Sequence, residues 1–115
     1  MAVASRFGFG DVVLVPFPFT DQSGIKKRPA VVVSSSGYNA SRRDIVIMAI
    51  TSQVRQPPGF GEVTVAGWQA TGLIKPSVFK PVFTTIEQSL VVRTMGALSA
   101  ADAKTLRGIV ADVIG

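Results

Sequence analysis

The chain contains neither cysteine nor histidine among its 115 residues. Without cysteine there is no disulfide scaffold, no thiolate nucleophile and no Cys-type zinc site. Without histidine the commonest metal ligand and the usual general base near neutral pH are both missing, so a Ser-His-Asp arrangement is excluded. Acidic residues are few: Asp11, Asp21, Asp44, Glu62, Glu87, Asp102 and Asp112 are scattered, with no close metal-binding pair in sequence. No Gly-rich phosphate loop precedes a helix. Long hydrophobic runs are absent as well. The longest, such as Ile45 to Ile50, fall far short of the ~18 residues of a membrane span. The opening MAVASRFGFGD carries glycines and an aspartate where a signal peptide needs a continuous apolar stretch, which points to a soluble, cytoplasmic protein.

What is present is a healthy apolar content, 47% hydrophobic with 17% charged, and a length that suits one domain spanning residues 1–115. Net charge is +5 and unevenly placed. Six basic residues (Lys26, Lys27, Arg28, Arg42, Arg43, Arg55) stand against Asp44 alone between Lys26 and Arg55. Such a basic centre suits an anionic partner, most simply nucleic acid, RNA or DNA. Taken alone, composition and charge describe a binding module.

Apolar patterning divides the chain into short strands. DVVLVPFPF (Asp11 to Phe19) reads as a strand whose prolines put its far end at an edge. Thr20 to Lys27 reads as an exposed hairpin loop, and PAVVVS (Pro29 to Ser34) as a strand buried on both faces. Ser35 to Arg43 is a polar connection with room for one helical turn, and DIVIMAIT (Asp44 to Thr51) is a third strand. After the turn-rich QPPGFG come a short strand at Glu62 to Ala66, then Leu73-Ile74, Ser77 to Phe79 and Val82 to Ile86, separated by Pro76 and Pro81. Leu90 to Leu98 continues the sheet. Ser99 with Asp102 resembles a capping box, and Leu106, Ile109, Val110, Val113 and Ile114 fall on one helical face. The fold expected is mainly β: a small, strongly bent barrel closed by a C-terminal α-helix.

One ordered set of motifs redirects the functional reading. GDVVLVPFPFTDQSGIKKRPAVVVSS, then Ile50-Thr51-Ser52, then GLIKPSVFKP (Gly72 to Pro81), Thr84-Thr85-Ile86 and Gly96-Ala97-Leu98-Ser99 together resemble the MazF/PemK family of toxin endoribonucleases. The resemblance runs from about Phe9 to Gly115. It implies an SH3-like barrel of the plasmid-maintenance toxin type and a homodimer with an RNA groove along the subunit interface. It also implies neutralisation by a cognate antitoxin, and cleavage of single-stranded RNA with no metal and no cofactor. In such cleavage the ribose 2′-OH attacks the neighbouring phosphate, leaving a 2′,3′-cyclic phosphate and a 5′-OH. A nucleophile owned by the substrate suits a chain without histidine or cysteine.

By that resemblance Arg28 is the catalytic arginine, and Thr51 hydrogen-bonds beside it. Spacing alone makes Arg28 a surface arginine at a strand end and Thr51 an ordinary β-former. Arginine stays protonated near neutral pH, so charge stabilisation suits it better than base work. Ser52 and Gln53 follow as RNA contacts, and Lys26 and Lys27 as phosphate-steering charges or solvated loop lysines. Phe17 is either packing or a base-stacking platform. Tyr38 and Asn39 could meet a base edge or merely form a turn, and Lys75 and Ser77 belong to the groove by the GLIKPS match. Two other functions fit the same barrel. A CcdB-type gyrase poison needs a tryptophan near the end of the last helix, where this chain reads Ala111-Asp112-Val113-Ile114-Gly115. A non-catalytic nucleic-acid-binding barrel needs only the charge.

Overall fold

The computed structural model describes residues 6–17 and 26–115. The chain order is β1 (Asp11–Phe17), β2 (Lys26–Val32), α1 (Ser36–Ser41), β3 (Asp44–Thr51), β4 (Val63–Thr64), β5 (Val78–Glu87), a 3-10 turn (Gln88–Leu90), β6 (Arg93–Ala97) and α2 (Ala100–Val113). The strands form one curled antiparallel sheet in the order β4-β5-β3-β2-β1-β6.

Alternation along β1, β2 and β3 feeds two cores, one on each side of the sheet. Val13, Val15, Ala30, Val32, Ile45 and Ile47 join Phe7 and Ile86 on one side. Val12, Val31, Met48 and Ile50 join Phe79, Leu106 and Ile109 on the other, beneath α2. This explains why the central strands read as almost unbroken apolar runs: successive residues are buried on opposite faces.

Several boundaries differ from the sequence reading. Lys26 and Lys27 belong to β2 rather than to a loop, because β1 pairs with them through Pro16↔Lys27 and Phe17↔Lys26. The expected hairpin loop otherwise lies outside the described residues. The pieces on either side of Pro81 form one strand, β5, because the β3–β5 register jumps between Met48↔Phe83 and Ala49↔Lys80. Pro81 falls inside this bulge, where its missing N–H breaks no ladder pair. Leu73-Ile74 lies in the loop before β5.

Helix α2 starts where expected. Ser99 Oγ accepts from the Asp102 N–H at 3.2 Å. Asp102, however, does not return a bond to Ser99. Its carboxylate accepts from the N–H groups of Ala66 (3.0 Å) and Gly67 (2.8 Å) on a distant turn. The apolar face of α2 is only half covered: Leu106 and Ile109 are buried, while Val113 and Ile114 are exposed.

Candidate active site

Strands β2 and β3 pair only at Ala30↔Ala49, Val31↔Met48 and Val32↔Ile47. Beyond that point β2 keeps its pairing with β1, down to Lys26, and β3 keeps its pairing with β5, out to Thr51↔Val78. The two strands are therefore held from their outer sides and part from one another. Two steps past Ala30 and Ala49, the same register puts Arg28 opposite Thr51. Pro29, between them and the last pair, has no N–H with which to extend a ladder.

A cleft of about 300 Å³ opens at this split. Lys27, Arg28 and Pro29 form one lip and Ile50, Thr51 and Ser52 the other. Leu73, Ile74, Lys75 and Ser77 supply a wall from the loop before β5, and Leu14, Arg93 and Met95 come from β1 and β6. Among the described residues lining it, four are cationic and none is acidic. Oriented donors in such a setting favour a polyanion.

Thr51 is half-buried at the end of β3, and its Oγ1 accepts from the Gln53 N–H at 3.0 Å. This fixes the hydroxyl rotor and leaves its proton for a further acceptor. The Arg28 Nε is shielded from solvent, so the base of the guanidinium is seated in the protein. Ser77 is buried and donates from Oγ to the Lys75 carbonyl at 2.9 Å, which braces the wall.

Of the residues singled out from sequence, the cleft gathers Arg28, Thr51, Lys27, Ser52, Lys75 and Ser77. Gln53 is attached to it through Thr51. Lys26 is an exposed residue at the start of β2, paired in backbone register with Phe17. The Phe17 side chain lies outside the described residues. Tyr38 and Asn39 are carried elsewhere, on α1. Tyr38 donates to Asp44 Oδ2 at 3.2 Å. Asn39 is buried, with Nδ2 donating to the carbonyls of Phe7 (3.0 Å) and Ser34 (3.2 Å), and Oδ1 accepting from Ser34 Oγ. Those bonds make Asn39 a staple between α1 and the chain ahead of β1, with no polar group left over for a base edge. Arg93 is the residue that sequence reasoning missed. An isolated cation far from the Arg28 motif carries no local signal, and only the β1–β6 pairing brings it to the cleft.

Residues 9–114 match the PemK-like, MazF-like toxins of type II toxin–antitoxin systems. The chain belongs to this family. Solved structures share its fold. A mycobacterial endoribonuclease in complex with its cognate antitoxin aligns with a TM-score of 0.72 at 17% identity, covering 95% of this chain and 93% of that one. The Mycobacterium tuberculosis toxin MazF-mt6 gives 0.72 at 21% identity, over 90% and 95% of the two chains. A MazE–MazF complex from Deinococcus radiodurans gives 0.72 at 23% identity, over 95% and 96%. A comparison with curated protein sequences gives no significant match. The MazF-like fold is thus a six-stranded curled sheet with a C-terminal helix, α2, laid on it, and the cleft lies where the central strands β2 and β3 divide.

Proposed function

We propose that this MazF/PemK toxin is an endoribonuclease that cleaves single-stranded RNA by attack of a ribose 2′-OH on the adjacent phosphate. The observation that carries the proposal is the placing of Arg28 and Thr51 at opposite positions across the cationic cleft. In the reaction O2′ gives up its proton to water and bonds to phosphorus as the P–O5′ bond breaks. The departing O5′ takes a proton from water, leaving a 2′,3′-cyclic phosphate and a 5′-OH. Arg28 offers its planar fork to the non-bridging oxygens as charge builds on the phosphorane. Thr51 donates its remaining proton to one of them. Lys27, Lys75 and Arg93 hold the neighbouring phosphates and orient the strand. The chemistry asks for no cofactor and no metal ion.

In the cytoplasm the protein acts as a homodimer, and a cognate antitoxin neutralises it by occupying the groove. The uncovered Val113 and Ile114 on α2 suit contact with a second copy. Light scattering at micromolar concentration reports a dimer if this holds.

Incubation with a long single-stranded RNA in excess EDTA tests the function. Expected are discrete fragments with cyclic phosphate ends, and resistance where the sugar at the cut is 2′-deoxy or 2′-O-methyl. Saturable binding without cleavage would indicate a passive nucleic-acid-binding barrel, and inhibition of supercoiling a gyrase poison. Cleavage abolished by EDTA would place the chemistry on a metal ion.

A further inference from the structure

The wall of the cleft made by the loop before β5 is held from a distance. Asp102, in the first turn of α2, is buried, with 2% of its surface exposed. Its two carboxylate oxygens accept separately from the backbone N–H groups of Ala66 and Gly67. Gly67 opens a compact turn: its carbonyl accepts from Ala70 N–H (3.0 Å), and the Trp68 carbonyl accepts from Leu73 N–H (3.2 Å) and from Thr71 Oγ1 (2.8 Å). The chain leaving this turn is the cleft wall, and the Val65 N–H returns to the Ser77 carbonyl at 2.9 Å to close the loop. One carboxylate therefore clamps the start of a segment whose end lines the cleft.

This wall carries Lys75 and, beside it, an exposed apolar side chain that the Lys27–Arg28 lip lacks. Leu73 is buried in the core, whereas Ile74 is apolar and 86% exposed. An exposed aliphatic ledge beside a cationic lip suits the face of an unpaired base. We infer that Asp102 is a positioning residue that sets the Leu73–Ser77 wall, and through it the choice of bases flanking the cleaved bond. The inference rests on the endoribonuclease reading. Arg28 and Thr51 sit on strands fixed by other pairings, so loss of the clamp alters selection more than chemistry.

Two variants test it. Asp102→Asn replaces one acceptor by an NH₂ that faces a backbone N–H. Gly67→Ala presses from the other side, since a β-carbon there comes within 3.1 Å of Asp102 Oδ2. The readout is the ratio of cleavage rates at different sites within one RNA, which partial unfolding scales uniformly and leaves unchanged. The ratio between the best and a poor site is expected to fall by about tenfold. The turnover rate at the best site, at saturating RNA, should stay within about threefold of the parent. Trp68, the only tryptophan, sits in the clamped turn and should become more open to iodide quenching in both variants.

Unchanged site ratios in both variants would overturn the inference. If Asp102→Asn fails to fold, Gly67→Ala decides alone. If the parent protein cleaves no RNA, the endoribonuclease reading falls and Trp68 quenching decides the clamp: unaltered quenching in the folded variants overturns it, and increased quenching upholds it.

Discussion

Gly72 lies so close against the carbonyl of Met95 that no β-carbon fits between them, and its φ of +84° is one that L side chains resist. At this point the turn before the cleft wall thus closes on β6 backbone to backbone. Gly72→Ala should cost about 2–5 kcal/mol, the sum of a left-handed penalty and an overpacked contact. Urea denaturation of parent and variant measures it.

Arg28→Ala should lower the cleavage rate by at least ~100-fold, the usual loss for one transition-state donor. RNA binding should fall far less, because Lys27, Lys75 and Arg93 share the cleft. Arg28→Lys should recover little, since a point charge does not reproduce a planar fork. Single-turnover rates with filter-binding affinities separate the two effects.

Thr51→Ala should cleave at a rate between the parent and Arg28→Ala. Thr51→Ser keeps both the hydroxyl and the acceptor for the Gln53 N–H, and should stay near the parent. A serine variant as slow as alanine in the same assay would mean that the methyl group, not the hydroxyl, is what matters.

Removing Lys75 should flatten the salt dependence of RNA binding. For a single strand each phosphate contact contributes about −0.7 to the slope of log K against log salt. Lys75→Ala should reduce the slope by about that amount, read from titrations at several salt concentrations.

Glu62 is held below the usual glutamate range, first by the Gly59 N–H donating to it and then by its bond with Arg55. A depressed native pKa gives stability that is complete above the unfolded value, about 4.3. It is lost as pH falls below that value and through the native one. Glu62→Gln should therefore be less stable than the parent at pH 7, and the difference should shrink towards about pH 3. Urea midpoints at the two pH values check the sign.

Local chemistry was readable in the sequence and tertiary encounters were not. The valine and isoleucine runs of β2 and β3 announced strands buried on both faces, and Ser99 announced the start of α2. Arg28 and Thr51 could be marked by motif, but their opposition follows from a register that only pairing reveals. Pro81 looked like a strand break because its ring removes an N–H, and the bulge opposite Met48 and Ala49 absorbs that loss. Asp102 looked like a capping partner because it is three residues beyond Ser99. Its carboxylate instead met two N–H groups that the fold delivers from 35 and 36 positions away. Tyr38 and Asn39 sit in a polar stretch that reads as a connection with room for one helical turn. The turn is there as α1, but nothing local tells that it carries Asn39 inward to bond Phe7 and Ser34.

The β1–β6 ladder also dictates an order of events during synthesis. β1 is the earliest strand made, yet one of its edges finds its partner only when Asp11 meets Ala97. A nascent chain that has emerged as far as β3 already carries both lips, with Arg28 and Thr51, but lacks Lys75, Arg93 and Met95. Contacts this distant along the chain form late and slowly. The cleft is thus complete only once β6 has left the ribosome, so a partly made chain carries two lips without the far side that closes them.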